Sequence, residues 1–119
     1  MGCRKVMILD KVQPTSDQGA MFIKCDLTSR ADIASAVKTI RSMGLSPSIL
    51  INNARIWSKG LRIHELSDGQ LQEIFQINVL AAFRLIHEFL PDMRRAGFGR
   101  IINMASVLAL AGVARMSII

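Results

Sequence analysis

Tyrosine is absent from this 119-residue chain, and tryptophan occurs once. Chemistry that relies on a phenol therefore has no carrier among these residues. Cysteine is scarce too, with only Cys3 and Cys25, at no metal-ligand spacing. That excludes a disulfide framework and a thiolate metal site, and it sets a reduced, cytoplasmic compartment as the expectation. No apolar run approaches the roughly 20 residues that cross a bilayer. The opening Met1-Gly2-Cys3-Arg4-Lys5 lacks the apolar stretch of a secretory leader. Gly2 and Cys3 sit where some lipidated chains carry them, but Val6 occupies the position that favours Ser or Thr. Repeats, low-complexity tracts and long linkers are also missing.

Acidic residues are the minority, nine against fifteen Lys and Arg, giving a net charge of +6. The basic residues are scattered, and the pairs Arg4-Lys5 and Arg94-Arg95 are not interleaved with aromatics. A solvated surface is expected, not a nucleic-acid interface. Half the residues are hydrophobic, which argues for a globular interior within one domain spanning 1–119.

Apolar runs alternate with helical patterns, the sequence sign of parallel β-α units. Val6-Met7-Ile8-Leu9 reads as a strand ending at Asp10, Lys11 to Gly19 as a loop, and Met21-Phe22-Ile23-Lys24 as a second strand. Ser29 with Asp32 resembles a capping box, behind which Ile33, Val37 and Ile40 share one helical face and Gly44 closes the helix. Ile49-Leu50-Ile51 is apolar without alternation, as for a strand covered on both faces. Ser67 and Gln70 form a second capping box that opens the longest helix. Leu71, Ile74, Phe75, Val79, Phe83, Ile86, Leu90 and Met93 make its apolar stripe. Pro91 is expected to kink or close that helix. Arg100 to Met104 reads as another buried strand, delivering Ala105 and Ser106 at its carboxyl end, where parallel α/β sheets gather their chemistry.

Four groups in this pattern could bind or react. Asp10, closing a strand, can accept hydrogen bonds from an adenosine ribose and repel a 2′-phosphate; it can equally be a turn residue. Asp26 could meet an adenine edge or satisfy backbone before the Ser29 helix. The paired amides of Asn52-Asn53, followed by Ala54, can bridge strand ends and admit a flat ligand, or serve structure alone. The Ser106 hydroxyl could polarise a carbonyl. His64 and His87 carry no catalytic pattern, and Trp57 could line a pocket or anchor a loop.

Cys25-Asp26-Leu27-Thr28, Ile51-Asn52-Asn53-Ala54, Ile77-Asn78-Val79 and Gly99 to Ser106 occur in that order. Together they resemble the motif series of the short-chain dehydrogenase/reductase family, over Val6 to Gly112. The resemblance implies an α/β fold: a partial Rossmann-type parallel sheet with flanking helices, missing the first β-α unit, forming a single partial NAD(P)-binding domain. It implies that Ser106 holds the substrate carbonyl or alcohol and that Asn78 supports a water in the proton relay. It further implies that Asp10 marks an NAD-preferring member, NAD rather than NADP. Asp26 and Leu27 would lie near adenine, and Asn53 and Ala54 would line the cofactor ribose. No metal is implied. The helix over 70–95 is similar to one that builds homo-oligomers in the family, and it can also cover the sheet with another face.

Three departures qualify the resemblance. Arg55 stands where the family pattern has glycine. No glycine-rich turn precedes the first strand, and no Tyr-x-x-x-Lys follows Ser106. The family's strand order of three, two, one, four, five would lack strand one, so strands two and four must pair directly or stay apart. The expected activity is NAD(H)-linked interconversion of a small-molecule alcohol and carbonyl, with cofactor binding weak or absent and no turnover from this fragment alone. The alternative is a non-enzymatic truncated member that acts by oligomerising with a full-length relative.

Overall fold

Among its described residues the connection between the first two strands carries no helix, as its polar, proline-containing sequence predicts. In the computed structural model, which describes residues 5–16, 18–58 and 60–111, strand β1 (Met7–Asp10) pairs in parallel with β2 (Met21–Lys24). The register runs from Met7↔Met21 to Asp10↔Lys24. Asp10 starts the return by accepting a hydrogen bond from the Val12 N–H on Oδ1 at 3.1 Å. Gly19 finishes it at φ 84°, a conformation that costs glycine little. Gly2, Cys3 and Ser117 lie outside the described residues.

Two compact units divide the chain, Met1–Leu45 and Ser46–Ile119. In the first unit, helix α1 (Arg30–Ser42) follows β2, and the Ser29 Oγ at its start accepts the Asp32 N–H at 3.1 Å. The return arm of this cap differs from a standard capping box. Asp32 accepts the Ser29 hydroxyl on Oδ1 and the Asp26 N–H on Oδ2, so it ties the helix start to the end of β2. Ile33, Ala36, Val37 and Ile40 are buried along one face, and Ile23 and Cys25 are buried as well. Each large side chain so buried stabilises the unit by about 1.5–3 kcal/mol. Gly44, at φ 68°, ends the helix with its N–H donating to the Arg41 carbonyl.

In the second unit, β3 (Ile49–Asn52) pairs in parallel with β4 (Arg100–Asn103), ending at Asn52↔Asn103. Between them runs a helical stretch in three parts: α2 (Asp68–Phe75), a π-helical turn (Gln76–Leu80) and α3 (Ala81–Arg95). Both arms of the Ser67–Gln70 capping box are present. The Ala81 N–H donates to the Gln76 carbonyl, five residues back. Helix α3 continues through Pro91 to Arg95, so the proline does not close it.

Two expectations need correction. First, the buried row of the long helical stretch is Ile74, Ala81, Leu85, Phe89 and Met93, while Phe75, Val79, Phe83 and Leu90 are exposed. The stretch has two apolar faces, and the single stripe read from the sequence merges them, because the extra residue of the π turn rotates everything after it. Second, the strands of this unit are not covered on both faces. Ile51 is 56% exposed, and all four residues of β4 are exposed. An unalternating apolar run reports that a strand should be covered, and here the covering is incomplete, with Ile49, Ile51, Ile101 and Ile102 all exposed. Among the described residues the ladders join β1 only to β2 and β3 only to β4, so of the two alternatives for the family's second and fourth strands the structure shows the unpaired one.

Candidate functional site

The carboxyl end of β3 and the carboxyl end of β4 lie side by side, because the two strands are parallel and in register up to Asn52↔Asn103. The ladder extends one step further, with the Met104 N–H donating to the Asn52 carbonyl at 3.0 Å. The side chains of this last pair also join. Asn52 Nδ2 donates to Asn103 Oδ1 at 2.8 Å, so one paired amide bridges the two strand ends. Asn52 Oδ1 is buried without a hydrogen-bond partner among the described residues. A buried acceptor left open is costly, of order 1–3 kcal/mol, and its natural complement is an incoming donor.

Beyond Asn52, the residues Asn53, Ala54 and Arg55 are exposed. The segment is then caught by the long helix. Asn78, in the middle of the π turn, accepts the Ile56 N–H on Oδ1 at 2.9 Å and donates from Nδ2 to the Ile56 carbonyl at 2.8 Å. Each half of the Asn78 amide makes one hydrogen bond to the same backbone residue. π turns inside α-helices are rare and often sit at functional sites. Here the turn carries the side chain that fixes the loop after β3.

Ser106, beyond β4, caps a short 3₁₀ turn, Val107–Ala109, and its Oγ accepts the Leu108 N–H at 3.2 Å. A hydroxyl that accepts in this way keeps its proton for donation. Ser106 is half-buried, so that proton meets a partly desolvated space.

In the first unit, Asp10 is exposed at the carboxyl end of β1, and Val12 engages one of its oxygens. Asp26 follows β2 and is more occupied. Its Oδ1 accepts the Thr28 N–H at 2.8 Å and the Thr28 hydroxyl at 2.7 Å, and Oδ2 pairs with Lys11 Nζ at 3.0 Å. The Thr28 hydroxyl above all, then the Thr28 amide and the Lys11 ammonium, hold the Asp26 carboxyl below its ordinary range against the opposing effect of partial burial. Leu27 is half-buried beside it. The fully buried Cys25 thiol is pushed up to about 11, first by burial and then by the neighbouring carboxylates of Asp32 and Asp26. It is therefore a packing residue and not a nucleophile.

The structure thus brings Asn53, Ala54, Asn78 and Ser106 into one unit and Asp10, Asp26 and Leu27 into the other. Sequence reasoning missed Asn103, Ile56, Thr28 and Lys11 as partners. The Asp-x-Thr spacing of Asp26 and Thr28 signals a local side-chain turn. The matching asparagines that close β3 and β4 could have suggested the bridge once the register was known. Among the described residues no group of His, Cys, Asp and Glu could hold a metal, and no helix is long and apolar enough to cross a membrane.

Comparison with known proteins agrees with this geometry. The model of the short chain dehydrogenase family matches residues 4–118. Dehydrogenase RED3 of Cochliobolus heterostrophus is 36% identical over 89 residues, covering 75% of this chain and 45% of that protein. A solved 4-hydroxyisoleucine dehydrogenase complexed with NADH and succinate superposes with a TM-score of 0.83 at 26% identity, covering 94% of this chain and 52% of that one. A metagenomic short-chain oxidoreductase in complex with NADP gives a TM-score of 0.74 at 27% identity, covering 82% and 44%. The chain thus spans about half the length of these proteins, and its α/β architecture is a partial Rossmann fold. Parallel strand pairs, motifs beyond their carboxyl ends and a family match over nearly every residue lead to one assignment: the chain belongs to the short-chain dehydrogenase family.

Proposed function

We propose that residues 1–119 form the central part of a cytoplasmic, nicotinamide-dependent oxidoreductase domain that interconverts a small alcohol and its carbonyl compound with NAD(H). What carries the reading is the parallel register of β3 and β4. It sets Asn53 and Ala54 beyond one strand end and Ser106 beyond the next, where such sheets receive ligands.

The residues suit a dinucleotide in their chemistry. Asp10 has a carboxylate oxygen that Val12 does not engage, and ribose hydroxyls are donors. Asp10 accepts from the adenosine ribose and disfavours a 2′-phosphate by charge, which selects NAD over NADP. Asp26, held ionised, and Leu27 meet the adenine, while Asn53 and Ala54 line the second ribose.

The nicotinamide, when bound, supplies the hydride acceptor or donor. Ser106 donates a hydrogen bond to the substrate oxygen, and such a donor is typically worth about 10²–10³ in rate. Asn78 positions the segment after β3 and supports the relay water. The chain contains no tyrosine, so turnover is expected only where a phenol and a glycine-rich phosphate turn are added to these residues.

The test uses the chain extended by those two segments from a relative. NAD should be preferred over NADP in kcat/KM, and Asp10→Ala should shrink that preference by about tenfold, one lost charge contact. An unchanged preference rejects the assignment of Asp10.

A second reading is favoured by the exposed row Phe75, Val79, Phe83 and Leu90. It is a truncated, non-enzymatic member that pairs with a full-length relative through the helix over 70–95. Four large apolar side chains on one exposed helix face suit an interface more than water.

A further inference from the structure

We propose that Arg55 is a specificity residue: it receives a carboxylate carried by the substrate next to its reacting carbonyl or carbinol. The proposal rests on the reading of Ser106 as the hydroxyl that holds the substrate oxygen.

Arg55 has no ion-pair or hydrogen-bond partner among the described residues, although it is mounted between two fixed points. On one side Asn52 is held by the ladder and by its amide bridge to Asn103. On the other side both backbone groups of Ile56 are taken by Asn78. Lys11 is engaged by Asp26, Arg95 by Asp92, and Arg100 lies over the Phe98 ring at 4.9 Å. A solvating surface arginine needs no such mounting. A guanidinium that must meet a ligand gains from it, because less freedom is lost on binding.

Register supplies the second argument. Asn52 and Asn103 are paired, so the segments that carry Arg55 and Ser106 leave neighbouring parallel strand ends, and each residue stands three positions beyond its paired asparagine. A ligand oxygen hydrogen-bonded to Ser106 would therefore carry any adjoining carboxylate towards the Arg55 side. Guanidinium and carboxylate match in a planar, two-pronged geometry that a lysine does not reproduce.

Backbone conformation supplies the third. The family pattern has glycine at this position, yet Arg55 is not at positive φ; Gln18 is the non-glycine residue recorded there. The side chain is accommodated without backbone strain, so the change adds a charge at no conformational cost.

The experiment is a titration of the purified chain, followed by backbone amide NMR. The probes are 2-oxobutyrate, its uncharged counterpart 2-butanone, and inorganic pyrophosphate. Saturable shifts at Asn53 to Ile56 and at Ser106 are expected with 2-oxobutyrate and not with 2-butanone. Arg55→Gln should weaken binding by about tenfold or more, and Arg55→Lys should recover only part of it. Arg55 is exposed, so both variants should keep the dispersed spectrum of the parent. Equal binding by Arg55→Gln, or shifts produced by pyrophosphate alone, would overturn the proposal. Ser106→Ala separates it from the reading on which it rests. If Ser106→Ala leaves the affinity unchanged while Arg55→Gln abolishes it, the anion site stands and the role of Ser106 falls.

Discussion

Asn78 and Ile56 are joined by two reciprocal hydrogen bonds, 2.9 Å into Asn78 Oδ1 and 2.8 Å out of Nδ2. Asn78→Ala leaves a part-buried N–H and carbonyl unpaired, at a cost of about 1–3 kcal/mol. The urea midpoint should fall accordingly, and hydrogen exchange at the Ile56 amide should accelerate more than exchange at the α1 amides. Asn78→Asp keeps the accepting arm and loses the donating one, so its effect should lie between parent and alanine variant.

Asp26 ties the acid sensitivity of the first unit to Thr28 and Lys11. Its carboxyl is held below the ordinary range in the folded chain. The stabilisation is therefore complete above the unfolded value, about pH 3.9, and is lost as pH falls through the lower folded value. Asp26→Asn should be less stable than the parent at neutral pH, and the gap should close below about pH 4. Urea midpoints for both proteins between pH 2.5 and 7 check this. A gap that does not change with pH would mean that the carboxylate charge contributes nothing.

Phe83 is 67% exposed on a face where Phe75, Val79 and Leu90 are also exposed. Phe83→Glu should change the stability of the monomer by no more than about 0.5 kcal/mol, as is usual for a surface substitution. Light scattering of the parent should report dimers or mixed oligomers that this substitution removes. A parent that is strictly monomeric, alone and beside a full-length relative, eliminates the oligomerisation reading.

Local chemistry was the legible part of the fold. Ser29, Gly44, Ser67 and Gln70 act where their own properties put them, because capping and left-handed glycine ends are decided within a few residues. The helix-free loop after Asp10 was legible for the same reason, since Pro14 and the polar run leave too little apolar periodicity for a helix. The π turn was not legible. Asn78 reaches Ile56 across 22 positions, and no local pattern announces that partner. Misreading the turn in turn merged the buried Ile74 and Met93 with the exposed Phe75 and Phe83 into a single stripe. Strand identity was correct at Ile49 to Ile51, yet burial was not, because covering is supplied by other elements and not by the strand. Within the candidate site, Ser106 and Asn53 were visible as motif positions. The Asn52–Asn103 bridge depends on register, which one sequence does not reveal.

The most direct test of the central claim, that the Ser106 hydroxyl meets the reacting oxygen, is steady-state kinetics of Ser106→Ala. It is made in the chain completed with a glycine-rich turn and a Tyr-x-x-x-Lys segment. The account predicts NAD-linked oxidation of a secondary alcohol, with kcat falling about 10²–10³-fold in the variant and the dissociation constant for NADH unchanged. A variant that turns over as fast as its parent would contradict it.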